Sequence, residues 1–179
     1  MALLHQATIT PTKLELVTEY LDSVPWGEAG EVEMLGGYRF DDPDGEVGVE
    51  GLLVERAGRP LHIPVTYRAA PLPGADEYLI ATMKHSVLGD RWVYEAAADP
   101  VAVDCYTRAL RGEQPQASLE VRMADGTVVP RDNPIRLRVE GDAATQALAF
   151  SDDLSSPVSG SARLIASWDG GEGIVAALR

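Results

Sequence analysis

The sequence has few cysteines and lysines and no long apolar run. The single cysteine, Cys105, excludes an internal disulfide, and the N-terminus lacks the basic and apolar segments of a signal peptide. No apolar run approaches the roughly 20 residues of a membrane-spanning helix. These absences predict a cytoplasmic protein without a membrane segment. Only Lys13 and Lys84 are lysines, whereas arginine, alanine, glycine and valine abound, which is typical of a GC-rich bacterial genome.

Positive charge is also scarce. The chain carries 15 Lys and Arg against 28 Asp and Glu, which gives a formal net charge of −13. A polyanion would be repelled by this charge, so neither nucleic acid nor an acidic membrane surface is predicted as a partner. The acidity is typical of a protein kept soluble by its charge, and a dedicated basic partner is the alternative.

Complete catalytic and cofactor motifs are missing. The chain has no phosphate-binding P-loop, no dinucleotide-binding glycine fingerprint, no nucleophile elbow and no zinc-binding H-E-x-x-H helix. His5, His62 and His85 are far apart and have no metal-ligand spacing to Cys105. The glycines of residues 170–173 are expected to form a turn. We therefore predict no catalytic residue, no metal and no cofactor.

A long antiparallel ribbon over residues 34–68 is predicted to organise the fold. Its first turn, DDPDG at residues 41–45, matches calcium-loop positions only in part, because Phe40 and Gly51 occupy two ligand positions, so an ordinary turn is expected. After a second turn the sequence alternates. One predicted face carries Leu61, Ile63, Val65 and Tyr67, and the other carries His62, Pro64, Thr66 and Arg68. This pattern predicts a half-buried strand with a solvated His62.

Two capped helices are predicted to pack on this sheet. The first begins with Thr10 as N-cap and Pro11 at the first helical position, and it stops at Pro25. Its apolar stripe is predicted to contain Leu14, Val17, Leu21 and Val24. Trp26 is expected to anchor the helix end on the sheet or to stack on a ligand. The second helix, residues 101–111, begins with Asp99-Pro100 and ends at Gly112. Cys105 is predicted to pack inside it.

The last third of the chain is predicted to be mostly β-structure. Short strands are expected near residues 119–123, 127–129, 135–139, 147–150 and 162–168, with turn residues between them. At 179 residues the chain suits one compact domain. The sequence thus predicts an α+β fold with an antiparallel meander, two helices, and two regions, 1–112 and 113–179, within that domain.

The segment of residues 84–94 contains the most varied side-chain chemistry. His85, Ser86 and Asp90, together with Asp41, suggest a base, a nucleophile and orienting acids. A loop hydrogen bond, or an ion pair of Asp90 with Arg91 or Lys84, is the simpler explanation of the cluster. Trp92 and Tyr94 alternate and should share a strand face, where they stack on a sugar or belong to the core or a protein contact. The candidate ligand-binding residues are Arg39, Arg68, His85, Asp90, Arg91, Trp92 and Tyr94.

Three stretches together resemble the N-terminal cap of bacterial maltokinases, and especially the short stand-alone cap-like proteins. They are PTKLEL at 11–16 with PW at 25–26, then YRFDDPDGEVGVE at 38–50 with VTYRAAPLPGA at 65–75, and MKHSVLGDRWVY at 83–94 followed by the Asp99-Pro100 helix. The likeness covers roughly residues 3–112. In true maltokinases the tryptophan motif continues with an aromatic residue, where this chain has Gly27.

The resemblance implies an α+β cap that full maltokinases fuse to a kinase-like fold, which transfers phosphate from ATP to maltose. This chain ends at Arg179 without a nucleotide lobe or a catalytic loop, so kinase activity is not expected. We predict a non-catalytic binding or regulatory module with a sugar kinase or glucan enzyme as partner. A sugar-binding protein, using Arg39, Arg68, Trp92 and Tyr94, is the first alternative. An enzyme using His85 and Asp90 is the second. Self-association through a strand edge leaves monomer and homodimer open.

Overall fold

A computed structural model describes residues 2–5, 8–122 and 125–179 of the chain. Its helices are α1 (Lys13–Ser23) and α2 (Pro100–Leu110), with short 3-10 turns at Asp76–Tyr78 and Ala96–Ala98. Its strands are β1 (Ala2–His5), β2 (Ile9–Thr10), β3 (Val32–Phe40), β4 (Gly48–Arg56), β5 (Arg59–Arg68), β6 (Leu79–His85), β7 (Gly89–Glu95), β8 (Leu119–Arg122), β9 (Val128–Arg131), β10 (Arg136–Gly141), β11 (Leu148–Phe150), β12 (Ala162–Trp168) and β13 (Gly171–Leu178).

The central element is a six-stranded antiparallel sheet in the order β2-β6-β7-β5-β4-β3. The predicted ribbon forms β3, β4 and β5, and the predicted turn before Gly45 is present, with the Asp42 side chain accepting from three backbone N–H groups. The predicted α+β class with antiparallel sheets is confirmed. Neighbouring strands follow the order of the chain only from β3 to β5. Strand β5 then pairs with β7, and β6 lies on the far side of β7.

Both helices form, and α1 differs from its prediction in two details. Its N-cap is Thr12, not Thr10, because Thr12 and Glu15 form a reciprocal capping box. Leu14 is 43% exposed, and Leu16 takes its place in the buried stripe with Val17 and Leu21. The start and end of α2 agree with the prediction, with Asp99 as N-cap and Pro100 in its first turn.

The two faces of the central sheet are covered by different layers. The first hydrophobic cluster joins α1 to one face, and it contains Leu16, Val17, Leu21, Val32, Leu52, Val54, Leu61, Ile63, Val65, Met83 and Val93. On the other face, Tyr38 and Leu53 share a second cluster with Tyr106 of α2 and with Leu164 and Val175 of the C-terminal strands. The prediction that His62 is solvated is therefore wrong, since the second layer leaves it fully buried.

The C-terminal third is mostly β-structure, as predicted. A four-stranded antiparallel sheet has the order β10-β12-β13-β11, and a three-stranded sheet has the order β1-β8-β9. In the latter, β1 runs parallel to β8. The strand β13 was not predicted, because the glycines of residues 170–173 suggested a turn only, whereas Gly171 already begins the strand. Two predicted positions, Met123 and Ala124, lie outside the described residues.

Cys105 is buried, as its predicted packing role requires. In the described part of the chain, no helix is both apolar enough and long enough to cross a membrane.

Candidate functional site

The predicted ligand-binding residues lie on both faces of the central sheet. Arg39 faces α1, because it lies opposite Glu50 in the β3–β4 pairing and its Nε is 3.4 Å from Glu50 Oε1. Trp92 and Tyr94 lie on the other face, where Trp92 is opposite Arg68 in the β5–β7 pairing. The four residues of the sugar-binding hypothesis are thus divided between two faces, with Arg39 apart from the other three.

Arg39 belongs to an ion network around buried Glu50. Lys13 Nζ lies 2.6 Å from Glu50 Oε1, and the Tyr67 hydroxyl donates to Oε2 at 2.8 Å. Burial alone would raise the pKa of Glu50, but Arg39 and Lys13 outweigh it and lower the pKa to about 2. The carboxylate is therefore ionised at neutral pH, and the network ties α1 to strands β3, β4 and β5.

Arg68 is held by the N-terminus of α2. Its Nε and Nη2 donate to the two carboxylate oxygens of Asp99, each at 2.7 Å. Asp99 also accepts from Val101 N as the helix N-cap, so one buried carboxylate serves both the helix and the arginine. The Tyr94 hydroxyl accepts from Leu72 N at 3.0 Å. Trp92 is half-buried beside this structural pair.

His85, Asp90 and Arg91 come together at the hairpin between β6 and β7. His85 Nδ1 accepts hydrogen bonds from Val87 N at 3.2 Å and Leu88 N at 3.1 Å. His85 lies opposite Gly89, whose positive φ of 76° turns the chain back into β7. Arg91 Nη1 donates to the carbonyl oxygen of Asp90. The histidine thus holds the turn of the hairpin in place.

The hairpin is also held by hydrogen bonds to Thr8, the residue before β2. Ser86 N donates to Thr8 O, and Thr8 N donates to Ser86 Oγ, both at 3.0 Å. These bonds extend the pairing of β2 with β6. The hydroxyl oxygen that the enzyme hypothesis would use as a nucleophile is therefore an acceptor in a backbone contact.

Asp41 lies far from this hairpin. It follows β3 at one edge of the sheet, whereas His85 ends β6 near the other edge, with β4, β5 and β7 between them. Four inter-strand steps of about 4.8 Å correspond to about 19 Å. The structure does not bring Asp41 and His85 together as a catalytic pair.

A comparison with protein families matches residues 20–99 to the maltokinase N-terminal cap domain. Over this range the chain is similar to that domain. The match is narrower than the predicted 1–112, and the division at residue 112 stays a prediction. Searches of the curated proteins and of the solved structures each gave no significant match.

The cap-like region contains an exposed apolar tip that sequence reasoning missed. Val87 and Leu88, which we call the hairpin tip, are 56% and 47% exposed. The signal was present, since two apolar residues stand between Ser86 and Gly89 in a turn where polar residues are usual. The tip is apolar, exposed and held by the hydrogen bonds of His85 and Ser86.

A series of buried hydrogen bonds links the second face of the central sheet to residues outside the cap-like range. Tyr38 OH lies 2.8 Å from His62 Nε2 and 2.9 Å from Tyr106 OH, while His62 Nδ1 lies 3.0 Å from Ser151 O. Burial lowers the pKa of His62 to about 4. These hydrogen bonds join the central sheet to α2 and to the C-terminal region, and we assign them a structural role.

Proposed function

We propose that this chain is a non-catalytic binding module that acts through a protein partner. The observation that carries the proposal is the hairpin tip, which lies within the residues that match the cap domain. We further propose that the partner is a sugar kinase or an α-glucan enzyme in a bacterial cytoplasm. This narrower proposal depends on the resemblance to maltokinases, which implies a link to α-glucan or trehalose metabolism.

The structure of the tip favours a protein-binding surface over an exposed apolar patch that binds nothing. Apolar side chains that are already ordered before binding lose little conformational entropy when a partner covers them. Val87 N and Leu88 N are both bonded to His85, so the backbone under the two side chains is fixed in the unbound chain. Apolar side chains form the buried core of protein interfaces, and a backbone that is already fixed lowers the cost of burying these two.

The proposal can be tested by titrating the chain into the kinase lobes of a maltokinase from which the cap has been removed. We expect binding in the micromolar range by isothermal titration calorimetry. A double variant, Val87→Asp with Leu88→Asp, should weaken binding at least about tenfold, since it places two charges in an apolar contact.

The matched control is Val128→Asp with Val129→Asp, which changes another exposed apolar pair, in β9. It should leave the affinity for the lobes unchanged. No binding to the lobes, or equal weakening by both double variants, would contradict the proposal.

A second candidate function is sugar binding near Trp92. The half-buried ring lies beside the Arg68–Asp99 ion pair, and an aromatic face next to charged hydrogen-bonding groups is the surface that a sugar ring uses. A thermal-shift screen with maltose, trehalose, glucosamine, glucose phosphates and ATP tests this function, because binding to the native state raises the melting temperature. A shift that Trp92→Ala abolishes supports it, and a flat screen argues against it.

The oligomeric state is a separate proposal. The chain is expected to be a monomer or a homodimer formed through a strand edge. Sedimentation velocity distinguishes the two directly.

A further inference from the structure

A small cleft opens where strand β5 passes from one neighbour to another. On that edge, residues 65–68 of β5 pair with β7, while Leu61 and His62 are paired with residues 152 and 153. Pro64 lies between the two pairings and has no N–H to leave unpaired in the gap. The proline therefore lets the edge of β5 stay open at this point without an orphan donor.

Aromatic rings and carboxylates line this cleft. The lining residues are Tyr20, Trp26, His62, Ile63, Pro64, Glu95, Ala96, Ala97, Phe150 and Asp152. The rings of Tyr20 and Trp26 are 5.9 Å apart at an interplanar angle of 73°, and the Tyr20 hydroxyl donates to Glu95 at 3.1 Å. Among the described residues that line the cleft there are two carboxylates and no lysine or arginine.

The cleft has a negative potential without an internal counter-ion. Asp152 is an exposed residue of this lining, and partial desolvation together with the charge of Glu95 raises the pKa of its carboxyl group. Burial, Glu95 and Asp152 raise the pKa of Tyr20 in the same way. His62 is buried and neutral, and both of its ring nitrogens are bonded elsewhere, to Tyr38 and Ser151. A cation in the cleft would relieve the repulsion between the two carboxylates.

The size of the cleft limits what it can hold. Its volume is about 40 Å³, whereas pockets for drug-sized ligands begin near about 300 Å³. A hexose is therefore too large, and the head group of a basic side chain fits better. A guanidinium group is planar, stacks on aromatic rings and donates to two carboxylates at once.

We propose that this cleft binds an organic cation of the guanidinium class, held between Trp26 and the carboxylates of Glu95 and Asp152. The source is an arginine side chain of a protein partner or a free small cation. The formal charge of −13 favours a basic ligand from either source. The site is separate from the hairpin tip, so its test does not depend on the proposed function.

The test follows the indole N–H signal of Trp26 by NMR, with Trp26→Phe used to assign it. Methylguanidinium should produce a saturable shift, methylammonium a weaker one, and the neutral analogue N-methylurea none. The double variant Glu95→Gln with Asp152→Asn should weaken methylguanidinium binding at least about tenfold. This double variant keeps the contact with Tyr20, because the side-chain oxygen of a glutamine still accepts a hydrogen bond.

The control is Asp169→Asn, which removes a carboxylate from the exposed turn before β13 and should leave binding unchanged. A short blocked peptide with one arginine identifies the source. Tighter binding of the peptide than of methylguanidinium supports a protein partner, and equal binding supports a free cation. Absence of a saturable shift, an equal response to N-methylurea, or an unchanged response in the double variant would overturn the proposal.

Discussion

His62 joins the central sheet to the C-terminal region through one ring nitrogen and contacts Tyr38 of the same sheet through the other. Nδ1–H donates to Ser151 O, and Nε2 accepts from Tyr38 OH, an arrangement that only the neutral ring can make. Tyr38 in turn contacts Tyr106 of α2. The alternation of β5 correctly placed His62 opposite the Leu61 face, but it contains no information about whether a second layer covers that face.

The pKa of His62 predicts a loss of stability at low pH. The native pKa is lowered to about 4 from an ordinary value of 6.5, so the stabilisation is complete above pH 6.5 and is lost as the pH falls toward 4. Over this window the unfolded state binds a proton that the native state does not, which costs roughly 3 kcal/mol. Urea denaturation at several pH values should show this slope, and His62→Gln should flatten it. Equal slopes in both proteins would contradict the assignment.

Removal of the Tyr38 hydroxyl should also be costly. Tyr38→Phe leaves His62 Nε2 and Tyr106 OH without a shared partner in a buried site, and we expect a loss of about 1–3 kcal/mol in the free energy of unfolding. Tyr78→Phe is the matched control, because Tyr78 is 39% exposed and should change stability by less than about 0.5 kcal/mol. Similar losses in both variants would argue against these buried hydrogen bonds as a stabilising element.

Among the elements, α1 shows how local sequence signals can compete. Two threonines precede the helix, and Thr10-Pro11 matches one start signal while Thr12 with Glu15 matches the capping box. The capping box satisfies two backbone N–H groups at once, and Thr10 is already in β2, paired with Lys84. The capping box, which the sequence contains, and the pairing of Thr10, which the sequence does not show, thus both favour Thr12 as the start.

The N-cap assignment predicts a difference between two similar variants. Thr12→Ala should lower the free energy of unfolding by about 1 kcal/mol, because Glu15 N loses its acceptor. Thr10→Ala should have a much smaller effect, since its side chain caps nothing in the helix. Thermal or chemical denaturation of both variants distinguishes them, and a larger loss for Thr10→Ala would favour Thr10 as the N-cap.

The predictability of the elements depended on how local their signals are. Strands β3, β4 and β5 and helix α2 were predicted from turn residues, alternation and capping, all within a few residues of each element. Strand β13 was missed because Gly171 and Gly173 conceal it, although its last four residues are buried against β12. Of the predicted site residues, His85, Asp90 and Arg91 stayed together as neighbours in sequence. The β5–β7 pairing also brought Arg68 beside Trp92, which no local pattern shows. The cleft around Trp26 joins residues from four segments, and no sequence pattern links them.

At the scale of the whole molecule, residues 113–179 complete the core of the cap-like region. Leu164 and Val175 share one cluster with Tyr38 and Leu53, and Gln116 bonds the backbone of residues 135 and 137 beside β3. The two predicted regions therefore bury apolar surface against each other, which supports one cooperative unit.

A chain truncated after residue 112 should lose cooperative unfolding. Its second sheet face, with Leu53, His62 and Thr66, would be covered by α2 alone and would expose apolar surface to water where the C-terminal layer is removed. Near-UV circular dichroism and calorimetry should show a weakly ordered or aggregated protein. A sharp transition with an intact near-UV spectrum would show instead that residues 1–112 fold independently.

The most direct test of the proposed binding role is to map the contact surface by NMR. The isotope-labelled chain is titrated with cap-deleted maltokinase lobes, and amide shifts are followed along the whole chain. We predict that the largest changes lie in residues 84–91 around Val87 and Leu88. Changes concentrated elsewhere, such as in β9, or no changes at saturating lobe concentration, would contradict the hairpin tip as the binding surface.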